Sequence, residues 1–119
     1  LDLLGPSAKS EKSIELGGRA ALDLDLVAGA DAFVLAWSDR EQLEPRAVTA
    51  VVDARGVVRS PAAPAVAALG EQAVIALAPG ASANTPAFLV WENLADRPDG
   101  ARFFEISALN AAGRASGAH

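Results

Sequence analysis

The apolar residues of this chain come in short runs, and each run is cut off within roughly 8 to 12 residues by glycine, proline, aspartate or asparagine. Phe33-Val34-Leu35-Ala36-Trp37 follows Gly29-Ala30-Asp31, and Ala47 to Val52 runs into Asp53-Ala54-Arg55-Gly56. Ala87-Phe88-Leu89-Val90-Trp91 lies between Asn84-Thr85-Pro86 and the turn Asp96-Arg97-Pro98-Asp99-Gly100. Runs of this length suit strands, typically about five or six residues, better than helices, typically about eleven. They also carry the β-branched and aromatic side chains that pack well on a pleated surface. The spacing predicts an all-β chain of eight or nine short antiparallel strands arranged as a sandwich.

Within that pattern, Ala20 to Val27 is the clearest strand. Leu22, Leu24 and Leu26 alternate with Asp23 and Asp25, so the leucines are expected to face a core and the aspartates water. Val57 and Val58 are expected to begin a return strand after the Gly56 turn. The stretch from Ser60 to Pro79 admits two readings. Ser60 and Pro61 are suited to start a helix, with Val66, Leu69, Ala73 and Leu77 at helical spacing. Pro64 and Gly70 would break it, and Ala73-Val74-Ile75-Ala76-Leu77 favours β structure, so two short strands are expected. The final strand, Ala101 to Leu109, sets Phe104, Ile106 and Ala108 on one face and Phe103, Glu105 and Ser107 on the other.

A chain of 119 residues suits one domain. Residues 14–119 are read as a single β domain, preceded by a flexible polar arm over residues 1–13. Leu1 in place of an initiator methionine is expected of a processed chain or of a piece of a longer one. Of the 51% of residues that are apolar, 28 are alanine, so the core has few large side chains to draw on. A net charge of −5 with no basic cluster disfavours nucleic acid and anionic membrane surfaces as partners, and no apolar run is long enough for a membrane-spanning helix.

Compared with itself, the chain repeats. Leu16-Gly17, Phe33 to Trp37 and Asp53 to Gly56 recur in order as Leu69-Gly70, Phe88 to Trp91 and Asn110 to Gly113. The offsets are 53 residues at the Leu-Gly pair, 54 at the tryptophan and 57 at the last glycine, giving candidate repeats 16–60 and 69–117. Such a unit resembles the four-stranded blade of Trp-bearing β-propeller repeats in large bacterial surface proteins. That resemblance spans most of the chain and implies a two-blade fragment, because two blades cannot close a ring. A second resemblance lies in Phe104-x-Ile106-x-Ala108-x-Asn110-x-x-Gly113, together with Leu94 and Trp37. This pattern is similar to fibronectin type III and related immunoglobulin-like sandwiches, although Arg102 stands where that family carries a tyrosine. It implies a self-contained sandwich, which is the fold expected here, with the two-blade fragment as the alternative.

Catalytic chemistry is poorly supplied. The single histidine is His119 and cysteine is absent, so a histidine-based triad, a thiolate nucleophile and a transition-metal site are not expected. Calcium takes six to eight oxygen ligands. Asp23, Asp25 and Asp31, or Asp96 with Asp99, match no EF-hand loop and read instead as a solvated strand face and as turn formers. Glu44, Glu92 and Glu105 are the acids a glycosidase pair would draw on, and nothing in their spacing brings them together. Trp37 and Trp91 close the most apolar strands, where core packing is expected; exposed, either indole would stack on a sugar or anchor a partner. Trp37, Trp91, Asp96 and Asp99 are therefore the candidate ligand-binding residues.

No enzyme activity, metal or cofactor is expected. The expected role is a noncatalytic structural or interaction module that is extracellular, on a cell surface or in a virion. Its partners would be proteins, including copies of itself or a larger assembly such as a filament or shell. The alternative is a carbohydrate- or ligand-binding domain of a secreted bacterial protein.

Overall fold

A computed structural model describes residues 2–4, 10–13, 15–16, 21–29, 31–39, 45–67, 70–94 and 102–115. Among them there are nine strands and no helix: β1 (Asp2–Leu4), β2 (Ser10–Ser13), β3 (Ala21–Ala28), β4 (Ala32–Asp39), β5 (Arg46–Asp53), β6 (Val58–Pro64), β7 (Gln72–Pro79), β8 (Ala87–Asn93) and β9 (Phe103–Leu109). The last seven form two open antiparallel sheets, ordered β3-β4-β5-β6 and β7-β8-β9, which pack as a sandwich. Residues 60–79 thus hold the two strands expected of them. The stretch expected as an arm holds β1 and β2, paired as a separate two-stranded ribbon.

The core lies between the sheets. Val34, Ala36, Ala47 and Val51 of the first sheet meet Val74, Leu77, Ala87, Leu89, Trp91 and Leu109 of the second. On the other face of the first sheet, Leu35, Trp37, Val48, Ala50 and Val52 form a second buried cluster, against which Leu16, Phe33 and Ala62 pack. Central strands β4 and β5 are therefore buried on both faces, which is why their sequences read as nearly continuous apolar runs.

One open edge is closed by acceptors from the other sheet. The N–H groups of β7 that do not pair with β8 donate to the carbonyl of Pro45 (2.8 Å), to Ser38 Oγ (2.9 Å) and to Asp25 Oδ2 (2.8 Å), from Gln72, Val74 and Leu77 respectively. A bulge between Val74 and Ala76 moves the outward donor from even to odd positions, bringing Leu77 into line with Asp25. Ser38 in turn donates to Asp23 Oδ2 (3.1 Å).

This arrangement reverses the face expected for β3. Asp25 is directed at the second sheet, whereas Leu24 is 61% exposed and Leu22 and Leu26 are also exposed. The alternation fails at Asp23, whose φ of 57° puts it in the left-handed region within a bulge between Leu22 and Asp25. The half-buried Asp25 carboxylate is accommodated here because the β7 edge supplies an unpaired donor, while Asp23 stays exposed.

The opposite side is tied by the turn after β9. Arg114 Nη1 donates to Thr49 O (3.1 Å) and Thr49 Oγ1 (2.8 Å), Nη2 donates to Pro61 O (2.7 Å), and the Thr49 hydroxyl donates to Gly113 O. At Gly113 a φ of 77° strains any side chain, and a Cβ would lie 3.0 Å from Val51 Cγ2, so the valine would have to give way.

The two sheets share one pairing register. Leu26↔Leu35 corresponds to Leu77↔Leu89, Trp37↔Val48 to Trp91↔Glu105, and Val52↔Val58 to the bridge Leu109↔Ala115. Even the bulges coincide, at Asp23-Leu24 in β3 and at Ile75 in β7. The turns match bond for bond: Asp53 Oδ1 accepts from Arg55 and Val57, Asn110 Oδ1 accepts from Ala112 and Arg114, and Gly56 and Gly113 both have positive φ.

Replacing Asp25 with alanine strips the Leu77 amide of its acceptor and is expected to cost about 1–3 kcal/mol in chemical unfolding, with Asp25→Asn, which keeps an acceptor oxygen, closer to wild type. Equal stability of the alanine variant and the wild type would show that the contact does not matter.

Candidate functional site

Neither tryptophan offers a ring to solvent. Trp91 is fully buried between the sheets and Trp37 is 3% exposed in the cluster on the far face of the first sheet. The equivalent residues of the two units therefore face different layers. Trp91 Nε1 donates to Ser107 Oγ (3.0 Å), whereas Trp37 Nε1 is buried without a hydrogen-bond partner. The shared register explains the difference, because the position that corresponds to Ser107, opposite Leu89, is Ala50, opposite Leu35. Asp96, Asp99, Glu44 and His119 lie outside the described residues.

The remaining acids are dispersed. Asp23 and Asp25 are hydrogen-bonded within the sandwich, and Asp31 pairs with Arg59 at 3.1 Å on the surface. Among the described residues no three His, Cys, Asp or Glu side chains are grouped to hold a metal ion. Glu92 and Glu105 sit on neighbouring strands with opposite facing, since Glu105 pairs with Trp91 and Glu92 with Phe104. Glu92 accepts two hydrogen bonds from Arg102, at 2.8 Å each, and this guanidinium holds its carboxyl below the usual range. Arg102 also lies over the Phe104 ring, 5.1 Å from its centre. Asp53 is likewise held low, chiefly by the Val57 N–H and against the opposing effect of burial, with the Arg55 N–H also favouring its charged form. Burial pulls Arg114 below its ordinary value.

A shallow pocket of about 210 Å³ lies between Ala28-Gly29 and the Pro79–Pro86 turn, smaller than the roughly 300–1,000 Å³ usual for ligand sites. Among the described residues that line it, Ser82 has the only polar side chain.

The most distinctive surface is the outer face of the second sheet. By register it carries Ala76 and Ala78 from β7, Phe88 and Val90 from β8, and Phe104, Ile106 and Ala108 from β9. Ile106 is 71% exposed and Phe104 52% exposed, with the Glu92–Arg102 pair at one end. The alternation of β9 is plain in the sequence, but which side is buried is not. The deciding contact is Ser107, turned inward to satisfy Trp91, which forces Ile106 outward.

Comparison with protein-family models, curated proteins and solved structures finds no match to the chain.

Because Ala50 occupies the position of Ser107, Ala50→Ser is expected to give the Trp37 indole an acceptor and to raise stability by up to about 1 kcal/mol. Chemical unfolding checks the gain, and the Trp37 indole N–H resonance should shift; a loss of stability with that resonance unmoved would contradict the shared geometry.

Proposed function

We propose that the chain is a noncatalytic structural or protein-interaction module of a larger exported or surface assembly, and that it meets its neighbour through the outer face of β7-β8-β9. The observation that carries this reading is a sheet face that is apolar across three strands apart from Glu92 at one end, and is left open to solvent around Ile106 and Phe104. Isolated apolar residues are ordinary on surfaces, but a contiguous apolar face with a charged rim is characteristic of interaction sites. The Arg102–Glu92 pair supplies such a rim at one end. The carbohydrate reading needs an exposed indole, and both indoles are buried.

The repeat likeness fits this role better than the fibronectin one. Both sheets are plain meanders, whereas immunoglobulin-like sandwiches use Greek-key connections. The shared register of β3-β4-β5 and β7-β8-β9 supports a pair of blade-like units within a larger structural array.

The native chain should bind a hydrophobic fluorescent dye, and Ile106→Asp should remove most of that binding while changing stability by no more than about 0.5 kcal/mol, as befits an exposed position. A native chain that binds no dye, or an Ile106→Asp variant that binds it equally, would overturn the assignment of the face.

A further inference from the structure

The open face of the second sheet corresponds, position for position, to the buried face of the first. In the shared register Val34 matches Phe88, Ala36 matches Val90, Ala47 matches Phe104, Thr49 matches Ile106 and Val51 matches Ala108. The first member of every pair is buried against the second sheet, and Thr49, fully buried, is the counterpart of Ile106, the most exposed large apolar residue among those described. The two units therefore face the same way, the back of the first lying against the tryptophan face of the second. Over its central strands the first unit's own tryptophan face is already covered, with Leu16 and Ala62 packed on it, while Leu26 and Val58 on the flanking strands stay exposed. The centre of one end is thus covered and the centre of the other is open, as in a terminal repeat of a stacked array.

We infer that the outer face of β7-β8-β9 is the seat of a further β-meander unit of the same kind, joined to the chain and presenting its own tryptophan face. This rests on the reading of that face as an interaction surface and names its occupant. The existing contact between the two sheets is the template, since repeating it once more covers Phe88, Val90, Phe104 and Ile106 with the equivalents of Leu77, Leu89, Trp91 and Leu109.

Area favours a tethered unit over a free second copy. Three strands about 4.8 Å apart and seven residues long present a flat area of roughly 300 Å². Even doubled for side-chain relief, this falls short of the roughly 800 Å² per partner of a stable free complex. A covalent link raises the local concentration enough for so small a face to suffice.

The register specifies the test. Ala115 corresponds to Val58, so position 119 corresponds to Ala62, and a copy of residues 63–115 appended after position 119 continues the pattern. The extended chain carries a third tryptophan, the copy of Trp91. Seating of the new unit predicts fluorescence emission at the wavelength of the parent chain, unchanged acrylamide quenching, and a single unfolding transition at a higher midpoint. Introducing Ile106→Asp only in the middle unit should shift the emission to the red and detach an early unfolding step, while in the parent chain it leaves the emission unmoved. A red-shifted third tryptophan in the unmutated extension, or a buried one despite Ile106→Asp, would overturn the inference. If the parent chain binds dye through Ile106 yet the added unit does not seat, the face is an interface for some other occupant; if the parent binds no dye, the interaction reading itself fails.

Discussion

The outward edge of β7 would ordinarily present a row of unpaired N–H groups to water, and the way the molecule satisfies them shapes everything around it. Pro45, Ser38 and Asp25 each supply one acceptor, so the edge strand of one sheet is held against the inner face of the other by three hydrogen bonds that belong to no ladder. These bonds set the relative placement of the sheets, and with it which sides of β4 and β8 are buried together. The Arg114–Thr49–Pro61 contacts do the same from the other flank. Between the two, a core with many alanines is held in position by polar ties as well as by area.

This arrangement also explains an asymmetry between two units whose pairing registers coincide. The central strands of the first are covered on both faces, and those of the second mainly on one. Where the first unit needs Asp25 and Thr49 to engage its neighbour, the second has Ala76 and Ile106 at the same positions. The side chains that would make polar ties to a following layer are thus replaced by apolar ones. Docking on that face relies on packing alone, apart from the Glu92–Arg102 pair at its end.

Much of the fold was legible in sequence because it is local. Turn residues at Asp53-Gly56 and Asn110-Gly113 mark the ends of β5 and β9, and β-branched runs mark the central strands. The breakers Pro64 and Gly70 rightly argue against a helix between Ser60 and Pro79. What escaped was decided by partners far away in the chain. The alternation of β3 points its leucines inward until Asp23 takes a positive φ and the β7 edge claims Asp25, 52 residues distant. The faces of β9 are equally readable, but only the Trp91–Ser107 bond tells which one is buried. The tryptophans, read as core or ligand site, are core residues in two different layers. The open face was invisible because its residues have the composition of a core.

If the β7 edge is locked as described, its outward amides should behave as interior ones. Residue-resolved hydrogen exchange on the native chain measures this directly. The amides of Val74 and Leu77 should exchange as slowly as the ladder-bonded amides of β8, since opening them requires the sheets to part. Exchange of Val74 and Leu77 at the rate of unprotected edge amides would contradict it.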